Sequence, residues 1–405
     1  MTQLRDLPVE EARARMLGAV SPGVPELILL DRHALGRVLA EPIAAVRDQP
    51  PFDASAMDGY AVPLEGVWTA GFQLIGESAA GRPYAGAAPR AGETVRVFTG
   101  ASVPEGCAVV VQERASRESD HVRFEGAPPS IGAHVRARGG DFRRGEILLP
   151  AGVRLDAWRL ALAASAGRGE ALVFPQPRVA ILSTGEEIVR AGAADPSDAQ
   201  IFDSNGPALS TLIAQWGGRP VPLDAVRDSQ AAILAALDGV AAELIVTVGG
   251  ASVGDYDLVK PALAKLGLEL LVETIRLRPG KPTWFGTLPN GQRVLGLPGN
   301  PASGLVAAEL FLRPLLAAWQ GVDPAFPLEH ARLAEPLEAT GPREHWMRAR
   351  LVSQADGSVS AHTFPDQDSS LVSVFAAADA LVRRPAGAPA LASGEVVEML
   401  RLKRL

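Results

Sequence analysis

The 405-residue chain has a single cysteine, Cys107, which excludes an internal disulfide framework and any cysteine-rich metal site. Cys107 sits in the strand-like stretch CAVVVQE, so a small buried core residue is expected there rather than a reactive thiol. Histidine is sparse, six in all and never at metal-ligand spacing, which argues against a zinc site. Lysine is scarcer still: Lys260, Lys265, Lys281 and Lys403 are the only four among 39 basic residues. Genome composition accounts for most of that bias, yet Lys281 inside a glycine-rich turn points to a need for a compact ammonium. A net charge of −7 and a pI near 5.5 leave no cationic excess for nucleic acid or acidic lipid. No apolar run of about 18 residues is evident, so no membrane span is expected. The opening MTQLRDLPVEEARARM is charged and amphipathic without an apolar signal core, and the cytoplasm is the expected compartment. There is no GxSxG elbow, Walker A loop or GxGxxG fingerprint.

What is present is ordinary globular material, 47% hydrophobic and 21% charged, long enough for two to four domains. An apolar stripe of Leu7, Val9, Ala12, Met16 and Leu17 predicts a helix over 6–20 with Asp6 as its cap. A second helical stretch is expected over 35–38. From about 46 to 140, short strands such as YAV, FQLIG, TVRVF and AVVVQE are punctuated by Gly and Pro, the texture of a β-rich domain. An alanine-rich helix near 158–167 and a strand in GEALVFP follow. Between 178 and about 320, strands (RVAILST, VPLDAV, ELIVTVGG, RVLGLPG) alternate with helices (PALSTLIAQW, SQAAILAALDGV, DLVKPALAKLG, SGLVAAELFLRPLLAAW). That alternation implies βαβ units and a mostly parallel sheet. After Pro324, short strands return (HWMRARL, SVSAHTF, ADALVRR, EVVEML), which suggests a small β-barrel or sandwich.

Ligands of open α/β sheets bind beyond the carboxyl ends of the strands, near the switch in strand order. Four polar loops are expected there, each leading into a helix: STGEEIV, SNGPA after Asp203, GGASVGDYD and LPGNPASG. Small residues admit a ligand to the backbone, and a helix N-terminus offers unpaired N–H groups to an anion. Turn-making explains any one of these loops well, but four at one sheet edge less well. In GGASVGDYD, Ser252 can donate to a phosphate, and Asp255 and Asp257 can bind a metal or steer a proton, though Asp255 serves equally as a helix cap. Glu186 and Glu187 carry a similar ambiguity, because acidic residues stabilise a first helical turn. Asp203, Ser204 and Asn205 offer edges for a heterocycle or ribose, as an Asn-Gly turn also would. RPGKP sets Arg278 and Lys281 across one turn, which suits an oxyanion or diphosphate, although solvent-facing charge is the commoner fate of such residues. Asp53 and Asp58 lie in PPFDASAMDGYAV, a loop too rich in small residues for an ordinary core strand.

PPFDASAMDGYAV, RVFTGASVPEGCAVVVQE, STGEEIV, FDSN, VGGASVGDYDLVK, RPGKP and GLPGNPASG, in that order over nearly the whole chain, resemble the MoeA family, which includes the insertase part of gephyrin. The resemblance implies a multidomain α/β fold in four parts. These are a discontinuous linker and dimerisation domain (1–45 and 141–176), a β-rich domain (46–140), a molybdopterin-binding α/β domain similar to the molybdopterin adenylyltransferase fold (177–324), and a C-terminal β-barrel (325–405). It implies a homodimer that inserts molybdenum from molybdate into adenylyl-molybdopterin, releasing AMP, with Mg²⁺ as cofactor. The molybdopterin adenylyltransferase and molybdoenzyme acceptors are possible partners. By the same resemblance Asp58 and Thr99 reach the site across the dimer interface, and Glu187, Asp228 and Asp257 are acidic positions needed for activity, Asp228 and Asp257 as metal ligands. Gly250 and Ser252 match the phosphate-cradling loop, and Pro298, Gly299, Asn300 and Pro301 the turn lining the pterin pocket. Arg348 and Ser369 match contributions from the C-terminal domain, and Lys281 an anion ligand. Arg278 stands where many members carry Lys, and Thr274 where a second basic residue can occur; charge is kept at Arg278, so only the detail of oxyanion binding is affected. Two other readings are an adenylyltransferase using ATP, which would need little beyond 178–320, and a gephyrin-like scaffold, which would exploit a fused second enzyme and linker that this sequence lacks.

Overall fold

The computed structural model describes residues 3–64, 68, 71–192, 197–249, 258–325 and 327–402. The chain divides into two compact units, one made of residues 1–26 with 174–405 and the other of residues 27–173.

At the centre of the first unit is a six-stranded sheet. Its strands are β1 (Arg178–Ser183), β2 (Arg219–Pro222), β3 (Leu244–Val248), β4 (Glu269–Val272), β5 (Trp284–Thr287) and β6 (Arg293–Leu297), in spatial order β2-β1-β3-β6-β5-β4. The first four in that order run parallel. The β6–β5 and β5–β4 pairings are antiparallel. Continuous apolar runs make these strands because both faces are covered, so there is no polar side to alternate with. Along β1, Val179 and Ile181 enter one core while Ala180 and Leu182 enter the other. Helices α1 (Val9–Gly18) and α2 (Asn205–Gln215) pack on the first face; α3 (Gln230–Leu237) and α4 (Val259–Lys265) pack on the second. Ser229 caps α3 by accepting from the Ala232 N–H.

The helical run Pro301–Trp319 also lies on the first face, with a π-turn at Ala308–Leu312 inside it. At 19 residues it is long and apolar enough to cross a bilayer by length and composition alone. Its window is 83% buried within the protein, and Glu309 pairs with Arg313 at 3.2 Å inside it. Core burial on a sheet produces the same composition as a membrane span.

Downstream, strands β7 (Leu328–Leu333), β8 (Glu344–Ser353), β9 (Val359–Thr363), β10 (Ala380–Arg384) and β11 (Val396–Arg401) close into a five-stranded barrel in the order β8-β9-β7-β11-β10, with β10 returning to β8. Closure leaves no free edge except where the two-residue strand Leu277–Arg278 adds beside Glu344–His345 of β8.

In the second unit, strands Gly59–Pro63, Phe72–Ser78, Glu93–Val97 and Cys107–Val111 join Ala115–Glu118 and His121–Phe124 in one six-stranded sheet. A smaller sheet pairs Glu170–Phe174 with Glu26–Leu29 and Val38–Leu39, backed by the helix Ala157–Ser165. Cys107 is buried, and burial pushes its thiol up to about 11, so it is inert packing as expected.

Two local expectations fail. The first helix begins at Val9 after Pro8, and Asp6 has φ 49 with its carboxylate turned toward Thr274 and Lys281 instead of capping. Residues 35–38 hold no helix: a single 3₁₀ turn, Arg32–Ala34, is capped by the Asp31 side chain, and Val38 then starts a strand. Asp31 offers the His33 N–H a local acceptor, which favours a tight turn over a longer helix.

Candidate functional site

The order β2-β1-β3 reverses direction at β1, so the switch point lies between the carboxyl ends of β1 and β3. Three chain segments meet there. The Thr184 N–H donates to the Val248 carbonyl, and the Gly249 N–H to the Leu297 carbonyl at the end of β6. Gly249 has φ +91, and a Cβ there would lie 2.5 Å from the Thr184 carbonyl oxygen, so only glycine permits this approach.

These strand ends form the floor of a cleft of about 1350 Å³ within the first unit. Asp203 and α2 form one side. The Ser183 hydroxyl donates to Asp203 Oδ2 at 3.0 Å, and the Gly206 N–H to Asp203 Oδ1 at 2.9 Å. A Cβ at Gly206 would sit 2.5 Å from Asp203 Oδ2, which accounts for the glycine in that turn. Asn205 is buried, and its Nδ2 donates to the Gly299 carbonyl at 2.8 Å, tying α2 to the LPGNP turn. Asn205 Oδ1 and Thr184 Oγ1 are sealed from solvent without a hydrogen-bond partner, and both residues line the cleft. An orphaned buried acceptor costs roughly 1–3 kcal/mol and is tolerated where a ligand supplies the donor.

The opposite side is cationic. Arg278, Lys281 and Arg343 line it together with His345. Arg278 is exposed and makes no ion pair among the described residues, whereas Lys281 Nζ lies 3.6 Å from Asp6 Oδ1. Burial first, and then the charges of Arg278, Arg348, Arg343 and Arg384, push the His345 imidazole down to about 4. The third wall comes from the loop after β9. Asn300 Nδ2 donates to Ser369 Oγ at 2.9 Å, and the Ala302 N–H to the Ser369 carbonyl. Ser370 holds the Asp368 carboxyl below its ordinary range through its hydroxyl and N–H.

Of the residues singled out from sequence, Glu187, Asp203, Ser204, Asn205, Asp228, Arg278, Lys281, Pro298, Gly299, Asn300, Pro301 and Ser369 line this one cleft. Gly250, Ser252 and Asp257 lie outside the described residues, as does the neighbouring Asp255. Asp58 and Thr99 belong to the second unit. There the Thr99 N–H and hydroxyl both donate to Asp58 Oδ1 at 2.8 Å, which lowers that carboxyl below its ordinary range.

Arg348 is fully buried and is not among the residues lining the cleft. Its Nε donates to Gln367 Oε1 and its Nη1 to the Asp368 carbonyl, so it props the loop that presents Ser369. Alternation along β8 puts His345 and Met347, which line the cleft, on the face that carries Ala349 into the barrel core, and Trp346 and Arg348 on the opposite face. Two loops also differ from expectation. STGEEIV leads to a two-residue strand, Ile188–Val189, not a helix, and SNGPA follows Ile201–Phe202, which pairs with it outside the main sheet. Sequence reasoning missed Thr184, Arg343 and His345; the period-two register of HWMRARL was the signal available for His345.

Comparison with known proteins agrees with this layout. Three family models match in chain order: the MoeA N-terminal region (domain I and II) over residues 7–167, a probable molybdopterin binding domain over 180–318, and the MoeA C-terminal region (domain IV) over 330–402. A molybdopterin molybdenumtransferase from Nostoc is 34% identical over 91% of this chain and 87% of its own length. The chain belongs to the MoeA family. A second molybdopterin molybdenumtransferase, from Haemophilus influenzae, is 36% identical over 78% of each sequence. The crystal structure of a MoeA protein of molybdopterin biosynthesis from Pyrococcus horikoshii covers 99% of this MoeA-family chain and 100% of its own, at 30% identity and a TM-score of 0.82. The cleft residues fall within the segments matched by the second and third models, and Asp58 and Thr99 within the first. The protein is thus a member of a family of transferases in molybdenum cofactor biosynthesis.

Proposed function

We propose that this chain inserts molybdenum from molybdate into adenylylated molybdopterin, releasing AMP and forming molybdenum cofactor. The observation that carries this is the division of one cleft into a cationic wall and a hydrogen-bonding wall at the switch point of the sheet. Molybdate and a diphosphate are both anions and repel each other. Arg278, Lys281 and Arg343 offset that repulsion, and Thr184 and Asn205 line the side that would take the polar edges of a pterin. Pro298, Gly299, Asn300, Pro301 and Ser369 form the wall between them. Asp203 and Ser204 add further edges, and Glu187 and Asp228 provide carboxylates for proton handling as the anhydride is cleaved.

Mg²⁺ belongs to this proposal. Among the described residues no three His, Cys, Asp or Glu gather as a metal site. Asp228 on the cleft would hold a hard cation, with Asp257 from the loop outside the described residues and substrate oxygens completing the shell. When bound, such an ion polarises a phosphoanhydride.

The homodimer is likewise proposed. Along Glu26–Leu29 and its continuation, Ile28 and Leu30 pack inward while Leu27 and Leu29 are 62% and 63% exposed, and Trp158 on the helix Ala157–Ser165 is 84% exposed. An edge strand with apolar residues on its outer face favours a second copy as its cover. By the family resemblance, Asp58 and Thr99 complete the partner subunit's site, the four-part domain division holds, and the enzyme works in the cytoplasm beside the adenylyltransferase and molybdoenzyme acceptors.

Reconstitution of an apo-molybdoenzyme tests the reading. The chain with adenylyl-molybdopterin and molybdate should restore activity, whereas pyrophosphate release from ATP and unadenylylated molybdopterin would replace it with the adenylyltransferase alternative.

A further inference from the structure

We propose that His345 is part of the oxyanion site of this cleft and takes up a proton when a tetrahedral dianion settles beside Arg278. The inference rests on the reading of the cleft as a molybdate site and adds a residue to it.

The placement comes from the backbone. The short strand Leu277–Arg278 adds to β8 with Arg278 opposite His345, and β10 sets Arg384 opposite His345 on the other side. The ring therefore lies between two arginines in register, with Arg343 in the bend just before β8 begins. Arg343, Arg278 and His345 all line the cleft, while the His345 Nε2 is sealed from solvent without a hydrogen-bond partner. Four cations, Arg278, Arg343, Arg348 and Arg384, act on the ring. Among the described residues no carboxylate pairs with the ring: Glu344 is turned to the other face, where it accepts from Trp346 and Arg383, and the effect of Asp366 and Asp368, which also line the cleft, falls on Arg348.

A neutral imidazole amid unbalanced positive charge is held neutral mainly by burial and by that charge. A bound dianion cancels the second influence and reverses its sign. Protonation then becomes favourable near neutral pH, and the imidazolium adds a further cation to the site at the moment it is needed. By linkage, a group that binds its proton more tightly in the complex makes the complex tighter as pH falls. A permanent fifth cation would repel its neighbours in the empty site; a conditional one does not.

The test is calorimetric titration of the full-length protein with sodium molybdate between about pH 5.5 and 8, in pairs of buffers with different ionisation heats. Wild type should take up a fraction of a proton per molybdate, and its Kd should tighten several-fold as pH falls, up to about tenfold per pH unit. His345→Gln and His345→Phe should still bind molybdate with an unchanged melting temperature but with proton uptake lost and Kd nearly flat with pH. Uptake that persists in both variants, or is absent from wild type while molybdate binds, overturns the role of His345. Absence of molybdate binding by wild type overturns the oxyanion reading of the cleft itself.

Discussion

The two sides of the cleft are built by opposite means. On the α2 side, polar groups are bound in advance: Asp203 accepts from Ser183 and Gly206, and Asn205 is tied to Gly299. On the barrel side Arg278 is left without an ion pair among the described residues, and Lys281 is held by Asp6 only at 3.6 Å. The first wall is satisfied by the protein except at a few chosen atoms, and so can select the shape of a neutral heterocycle. Among the described residues the second wall has only the Asp6 carboxylate against its cations, and so awaits charge from outside. A preorganised wall gives specificity, and an unbalanced one gives affinity for anions.

Mutations that break this contrast should differ in kind as well as in size. Asp228→Ala should lower AMP release by about 10² to 10³-fold with an unchanged melting temperature, because a carboxylate acting in proton handling or metal binding has no substitute. Normal turnover would remove Asp228 from the chemistry. Arg278→Ala should raise the molybdate concentration needed for half-saturation by roughly tenfold or more, and Lys281→Ala by less because Asp6 already shares its charge. In both, saturation with the pterin substrate should be almost unaffected. Asn205→Ala should show the reverse pattern, a several-fold weaker pterin interaction with unchanged molybdate dependence.

Arg348→Met sharpens the comparison because the buried guanidinium acts behind the wall. Losing its bonds to Gln367 and Asp368 should cost about 2–4 kcal/mol in denaturant unfolding, a loss that Arg343→Ala at the exposed rim should not show. The smallest effect is that of His345 on acid stability. Below its ordinary value of 6.5 the unfolded chain binds a proton that the native ring, held near 4, does not. Stability therefore falls as pH drops through that window, and His345→Phe should flatten the slope there.

Much of this was legible in the residues. Both faces of β1, β3 and β6 are covered, so their apolar runs read directly as buried parallel strands, and Thr184, Gly249 and Pro298, which follow them, line one cleft. Register was harder. Barrel closure depends on β10 pairing with both β8 and β11, a long-range choice that no local pattern announces. That closure sets His345 and Arg348 on opposite faces of β8 and buries Arg348 fully. Asp6 likewise satisfied a local capping rule, yet φ 49 and the contacts with Thr274 and Lys281, more than 250 residues away, took precedence.

The most direct test of the cleft's function is the rate of AMP release from adenylyl-molybdopterin as molybdate is varied, for wild type and for Arg278→Ala with Lys281→Ala. Release that rises and saturates with molybdate in wild type, and needs far more molybdate in the double variant, is the predicted result. Release that is independent of molybdate, or saturates identically in both proteins, would contradict an oxyanion site on that wall.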